Sequence, residues 1–121
     1  MAKKILVVED DPDISKALEI RLKASGFRPV VAMDGEQGWN LVREQKPDLA
    51  ILDVMLPKLD GFSLCKLIKK DKKLKKIPVI MLTIKGMLGD VEKGFDVGAV
   101  SYIPKPYEWE KLYMEILQYL K

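Results

Sequence analysis

Short apolar runs alternate with amphipathic stretches along the whole chain. Five runs rich in Val, Ile and Leu predict strands, and they cover Ile5–Val8, Pro29–Ala32, Leu49–Leu52, Val79–Leu82 and Val100–Ile103. Because they are mostly apolar without a regular polar alternation, they are typical of strands buried on both faces. Such strands belong to parallel sheets that helices cover on both sides.

The stretches between and after these runs predict five helices. Asp11 can cap the first, with Pro12 at its first helical position and Gly26 at its end. Asp34 opens the second helix and Pro47 closes it. The other three are expected at about Phe62–Lys70, at about Gly89–Val97, and from Trp109 to Leu120. Five strand–helix repeats without a linker predict a single α/β domain over residues 1–121.

The order of these elements also predicts where a ligand would bind. Parallel strands joined by helices need right-handed crossovers, which give a doubly wound sheet. Ligands of such sheets bind beyond the carboxyl ends of the strands, where the strand order reverses. The residues that follow the apolar runs are therefore the first candidates for a functional site.

Charged and hydroxyl side chains stand at these strand ends. Glu9 and Asp10 follow the first run, Asp53 the third, Thr83 the fourth and Lys105 lies just beyond the fifth. If the first and third strands are neighbours, the carboxylates converge and repel one another unless a cation intervenes. A hard divalent cation such as Mg²⁺ or the Lys105 ammonium could supply the charge. Taken singly, each acid could equally cap a helix or occupy a turn.

Composition excludes several kinds of site. Among 121 residues, 48% are hydrophobic and 32% charged, so a sizeable core can form. Histidine is absent and Cys65 is the only cysteine, which excludes an internal disulfide, four-ligand Cys/His zinc sites and histidine-based triads. No apolar run approaches the ~20 residues that cross a bilayer, and no leader pattern opens the chain. We therefore expect a cytoplasmic protein that does not engage a membrane.

The net charge of +3 is too small to indicate a nucleic-acid partner by itself. The basic residues are nevertheless concentrated, because seven lysines fall between Lys66 and Lys76. We interpret this run as a solvated helix end and loop, with an acidic or nucleic-acid partner as the alternative. Direct contact with nucleic acid is therefore not expected.

Four segments together resemble the receiver domains of response regulators in two-component signalling. They are Lys4–Pro12, Pro47–Gly61, Ile77–Thr83 and Gly98–Tyr107, so the resemblance extends along most of the chain in the right order and spacing. The resemblance implies the flavodoxin-like strand order 2-1-3-4-5 with five flanking helices, as in chemotaxis receivers.

The resemblance also implies roles for the acids. Asp53 would accept a phosphoryl group, and Glu9, Asp10 and Asp53 would hold Mg²⁺ together with the main-chain carbonyl of Met55. Glu9 stands where the family often has Asp, and the longer side chain should still allow a contact with the metal through water. A carboxylate nucleophile beside a divalent cation also satisfies what phosphoryl transfer requires.

Three further residues receive roles from the same resemblance. Thr83 would donate a hydrogen bond to the phosphoryl group, Lys105 would pair with it, and Tyr102 would turn inward as the aromatic switch. The Lys105–Pro106 peptide bond would be cis. Ile84 follows Thr83 where a small residue is usual, so we expect its bulk to slow dephosphorylation, whereas Lys85 would add positive charge with an effect of unknown sign.

The predicted function is a phosphorylation-controlled signalling module whose own chemistry is self-phosphorylation and slow autodephosphorylation. The chain has no histidine to act as donor, so a histidine kinase or phosphotransfer protein would supply the phosphoryl group. A downstream protein would bind the face formed by the fourth helix, fifth strand and last helix. The chain could stand alone or belong to a larger regulator with a DNA-binding or enzymatic output domain.

Three other functions make specific demands on the sequence. A flavodoxin-like electron carrier needs a phosphate-binding loop after the first strand, where this chain has acids. A Mg²⁺-dependent aspartyl phosphatase needs a second acid two positions after its nucleophile, where this chain has Met55. A receiver that binds partners without phosphorylation is the third, and the presence of Asp10, Asp53, Thr83 and Lys105 argues against it.

Overall fold

A parallel sheet of five strands forms the centre of the molecule. The computed structural model describes residues 2–84 and 98–120, and for Ile84 only the backbone. The strands are β1 (Lys4–Val8), β2 (Arg28–Ala32), β3 (Leu49–Asp53), β4 (Val79–Ile84) and β5 (Ser101–Lys105). Their order in the sheet is β2-β1-β3-β4-β5. The doubly wound sheet and the strand order implied by the resemblance are therefore confirmed.

Four helices flank the sheet in the described part of the chain, one fewer than predicted. They are α1 (Pro12–Ala24), α2 (Gly35–Gln45), α3 (Gly61–Lys70) and α4 (Trp109–Tyr119). The helix predicted at about 89–97 lies outside the described residues, as does Lys85. None of the four helices is long and apolar enough to cross a bilayer.

The first two helices begin where their capping residues predict. The Asp11 carboxylate accepts hydrogen bonds from the backbone amides of Asp13 and Ile14, and Pro12 opens α1. The Asp34 carboxylate accepts from the amide of Gln37 at the start of α2. These side chains satisfy amides that have no partner within the helix, so they fix where each helix starts.

Each face of the sheet carries its own hydrophobic core. Alternate strand residues such as Leu6 and Leu52 pack with α2 and α3 on one face. Their neighbours Ile5 and Ile51 pack with α1 and α4 on the other. Burial on both faces explains why the strand sequences show almost no polar alternation.

The buried face of α1 is narrower than its periodicity predicts. Leu18 and Leu22 are buried, but Ala17 and Arg21, which helical spacing places on the same face, are exposed. Ser15 is buried instead, and its hydroxyl donates to the carbonyl of Pro12. The Arg21 guanidinium lies 5.8 Å from the Trp109 ring centroid. Long side chains at the edge of a stripe thus cover the core without entering it.

Candidate functional site

The register of the strands brings three acids to one edge of the sheet. Val8 pairs with Leu52, so Glu9 and Asp53 follow as neighbours at the carboxyl ends of β1 and β3. One carboxylate oxygen from each of Glu9, Asp10 and Asp53 lies within 4.8 Å of the others. Glu9 and Asp53 are buried, whereas Asp10 is exposed. The three acids line a cavity of 410 Å³ that opens at this edge.

Lys105, at the end of the edge strand β5, forms ion pairs with both buried acids. Its Nζ donates to Glu9 Oε1 at 2.7 Å and to Asp53 Oδ2 at 2.8 Å. Burial alone would lower the pKa of Lys105, but the hydrogen bonds to Asp53 and Glu9 outweigh it and raise the pKa above its usual value. The ammonium therefore stays charged and neutralises part of the acidic cluster.

The pKa of the Glu9 carboxyl group is raised because the group is buried beside another acid. Burial raises the pKa of Glu9 to about 7, the hydrogen bond from Lys105 opposes this rise, and the nearby Asp53 adds to it. The carboxyl group is thus easier to protonate in the folded protein than in the unfolded chain.

This raised pKa predicts a dependence of stability on pH in the metal-free protein. Because the folded pKa of Glu9 exceeds the unfolded value of 4.5, the stability it contributes is full at low pH. That contribution is lost as pH rises from about 4.5 to about 7. The measurement is the melting temperature of the parent and of Glu9→Gln in EDTA, at about pH 5 and about pH 7.5. We expect the parent to lose stability relative to the variant at the higher pH, and a constant difference would contradict this.

The turn after β3 fixes the direction of the Asp53 side chain. Asp53 Oδ1 accepts from the backbone amide of Met55 at 3.1 Å, while Oδ2 faces Lys105. The amide of Val54 donates to Leu82 O of β4, and the amide of Gly61 returns to Val54 O. Both carboxylate oxygens of Asp53 are therefore held in place before any ligand binds.

Gly61 is a positioning residue that sequence reasoning missed. A Cβ at this position would lie 2.2 Å from the backbone oxygen of Asp53, closer than any real contact. The sequence offered one signal, a glycine eight residues after the acid within a segment that resembles the family. Its absent side chain lets α3 begin directly against the end of β3.

Gly61→Ala is expected to lower the free energy of unfolding by about 2–3 kcal/mol, because backbone atoms must move to admit the methyl group. The matched control is Gly26→Ala, where a Cβ meets nothing within 4 Å and only the positive φ is strained. That control should cost about 1 kcal/mol. Urea denaturation measures both, and Mg²⁺ titration should show weaker binding in Gly61→Ala alone. Equal effects of the two variants would argue against a positioning role.

The remaining predicted residues lie around the same edge. Thr83 is buried near the end of β4, one residue beyond the position that pairs with Asp53. Within residues 2–84 and 98–120, nothing forms a hydrogen bond with its hydroxyl. Met55 is exposed and lines the cavity, and half-buried Tyr102 packs on the core that contains α3. The Lys105–Pro106 bond is cis, as the resemblance implies.

Comparison with known families decides what kind of domain this is. The sequence profile of the response regulator receiver domain matches residues 5–117. The chain belongs to the response regulator receiver domain family. It is therefore a signalling module of two-component systems rather than a conventional enzyme, and the electron-carrier and aspartyl-phosphatase hypotheses are set aside.

The curated relatives of this receiver domain include transcriptional regulators. The DNA-binding dual master transcriptional regulator RpaA of Synechocystis is 40% identical over 118 residues, which is 98% of this chain and 49% of that protein. The chain spans about half the length of the curated relatives that it matches first. The expectation of no nucleic-acid contact is therefore not supported for a longer protein that contains this domain.

Solved receiver domains have nearly the same fold. The receiver domain of a signal transduction histidine kinase from Syntrophus aciditrophicus is 34% identical, with a TM-score of 0.92 over 98% of this chain and 90% of that one. The receiver domain of sensor histidine kinase PA1611 from Pseudomonas aeruginosa is 29% identical, with a TM-score of 0.91 over 99% and 98% of the two chains. That structure has a magnesium ion coordinated in its active-site cleft.

Proposed function

We propose that Asp53 accepts a phosphoryl group from a histidine kinase or a phosphotransfer protein. The observation that carries the proposal is the position of its carboxylate, which is buried at a sheet edge between two other acids and the Lys105 ammonium. A buried acid whose oxygens are already oriented is suited to attack a phosphorus atom in line with a leaving group.

The transfer itself needs little from the protein beyond position and charge. An oxygen of Asp53 forms a bond to phosphorus as the bond to the donor's histidine nitrogen breaks, and the product is an acyl phosphate. Lys105, whose Nζ donates to Asp53 Oδ2, would pair with the added negative charge. The Thr83 hydroxyl, which has no hydrogen-bond partner among the described residues, would donate to a phosphoryl oxygen. Hydrolysis of the acyl phosphate by water would end the signal.

The donor set at this edge fits a magnesium ion. The carboxylates of Glu9, Asp10 and Asp53, with the main-chain carbonyl of Met55, offer only oxygen ligands, which Mg²⁺ prefers. The exposed Asp10 leaves one side of the cluster open to the water that such an ion retains. Bound there, the ion would neutralise charge that develops on the transferred group. The magnesium in the PA1611 receiver domain supports the same assignment.

We further propose that phosphorylation is reported through Thr83 and Tyr102. Thr83 pairs with Pro104 in the register of β4 and β5, and Tyr102 lies two residues before Pro104 on the same strand. A shift of the Thr83 hydroxyl would therefore act on the strand that carries the aromatic ring. A downstream protein would bind the face that includes β5 and α4. The predicted helix at about 89–97, which would complete this face, lies outside the described residues, and so does the side chain of Ile84.

The wider context of the domain is also a proposal. Residues 1–121 would form one receiver domain in the cytoplasm, where a histidine kinase can reach it. The half-length match to regulators such as RpaA, which is named as DNA-binding, favours a longer regulator with a DNA-binding output domain.

Mass spectrometry of the intact protein tests the proposed function. Incubation with acetyl phosphate and Mg²⁺ should add the mass of one phosphoryl group, because acetyl phosphate is a small donor that needs no docking surface. The same incubation with EDTA should leave most of the protein unmodified. No gain in either condition would instead indicate a receiver that binds its partners without phosphorylation.

A further inference from the structure

Six exposed lysines form a separate basic surface near the amino ends of the strands. The acidic cluster lies at the opposite, carboxyl ends. We define this lysine patch by its members, which are Lys66, Lys70, Lys72, Lys73, Lys75 and Lys76. They occupy the second half of α3 and the segment between α3 and β4. Since α3 starts beside the carboxyl end of β3 and β4 starts at Val79, the patch lies near the amino ends of the strands.

The patch has a rigid support. Leu74 and Ile77 of the turn are buried, so the lysines between and beside them face outward. Backbone hydrogen bonds from Leu74 and Lys75 to Asp71 O close the turn. Lys69 lies beneath the patch, and its amine donates to the carbonyls of Lys75 and Ile77. The six charges are thus displayed on an ordered surface rather than on a loose loop.

No counter-charge in the described part of the chain balances these lysines. Within residues 2–84 and 98–120, none of the six forms an ion pair, whereas Lys16, Lys23 and Lys58 elsewhere each pair with an acid. Asp71 is the one acid among residues 66–76, and its carboxylate accepts from the backbone amide of Lys73. Lys66 and Lys70, four residues apart on one helix, repel each other. The acids of the described residues therefore leave the concentrated positive charge of the patch without an ion-pair partner.

The chemistry of the patch favours phosphate over other anionic partners. Among its described neighbours only Leu67 exposes a substantial apolar surface, which is too little for insertion into a lipid interface. Protein–protein interfaces are depleted in lysine at their centres. The patch contains no aromatic residue on which the bases of a single strand could stack. It also contains no arginine for bidentate contacts to base edges.

We propose that the lysine patch binds the phosphate backbone of duplex DNA without sequence preference. Lysine ammoniums act as point charges that neutralise phosphates and release condensed counterions, which requires no fixed geometry. This contact would hold the domain against DNA while the opposite edge of the sheet stays open to a phosphoryl donor. The inference does not rest on phosphoryl transfer, so failure of one leaves the other intact.

Fluorescence anisotropy of a labelled 20-base-pair duplex tests the proposal with the whole chain. If about four phosphates are neutralised, the affinity should fall about 100-fold between about 50 mM and about 200 mM KCl. The variant Lys70→Gln/Lys72→Gln/Lys73→Gln/Lys76→Gln should lose most of the binding at the lower salt and most of the salt dependence. Absence of binding by the parent at the lower salt would overturn the proposal.

The control carries the same change in net charge at other exposed lysines. It is Lys3→Gln/Lys16→Gln/Lys23→Gln/Lys111→Gln, and it should retain most of the parent's affinity. Equal losses in the two variants would mean a general charge effect and would also overturn the proposal. Tighter binding to vesicles of phosphatidylglycerol, or equal binding to single-stranded DNA, would reject duplex DNA as the partner. Circular dichroism should show that both variants remain folded.

Discussion

Replacing Asp53 with Asn is expected to abolish the gain of a phosphoryl group from acetyl phosphate in Mg²⁺. The amide oxygen carries no full charge and cannot form a stable acyl phosphate, so the loss should be complete rather than partial. The fold should survive, because Asn has nearly the shape of Asp and its amide oxygen can still accept from one of the two donors, the Met55 amide or the Lys105 ammonium. Intact-protein mass spectrometry of parent and variant, side by side, gives the result.

A matched control separates loss of the acceptor from loss of a negative charge near the site. Asp13→Asn removes one charge from the first turn of α1, where the side chain is exposed and lies outside the acidic cluster. It should be phosphorylated to nearly the parental extent. If the Asp53 variant still gained the phosphoryl mass, another side chain would be the acceptor and the proposed function would need a new site.

Lys105→Gln is expected to lower the free energy of unfolding of the metal-free protein by about 3 kcal/mol near pH 8, because it leaves Glu9 and Asp53 buried without their cation. Saturating Mg²⁺ should restore most of this loss, since the ion supplies the missing positive charge. The affinity for Mg²⁺ should rise in the same variant, because the ion no longer competes with an ammonium. Urea denaturation with and without Mg²⁺ measures both effects.

Two controls test whether charge balance is the cause. The double variant Glu9→Gln/Lys105→Gln removes both charges and should lose clearly less stability than Lys105→Gln alone. Lys58→Gln breaks a surface pair with Asp34 at 3.8 Å and should cost less than about 1 kcal/mol. An Mg²⁺ affinity that falls in Lys105→Gln would show that the lysine supports metal binding rather than competing with it.

Most strands and helices were predictable because the patterns that specify them involve residues close together in the sequence. Buried parallel strands leave continuous apolar runs, and Asp11 and Asp34 mark helix starts through hydrogen bonds that involve only a few neighbouring residues. The ends of strands were less accurate. The last strand was predicted at Val100–Ile103 but runs from Ser101 to Lys105, because pairing with β4 continues through residues whose own preferences are not strand-like.

Less of the candidate site could be read from sequence alone. The acids were visible because each directly follows an apolar run, but their meeting required β1 and β3 to be neighbours, which periodicity does not reveal. The Lys105 ammonium donates to both Glu9 and Asp53 because its side chain is long enough to extend across β4, which the sequence does not show. The role of Gly61 depends on a contact with a backbone oxygen, which leaves no pattern in the chain.

The ion pair between Lys105 and Glu9 joins residues 96 positions apart. During synthesis from the amino terminus, the ribosome therefore releases the acids long before the cation that balances two of them. Until β5 docks, Glu9 and Asp53 lack the ammonium with which both form ion pairs in the folded domain. The charge balance of the acidic cluster is therefore completed only when β5 is in place beside β4.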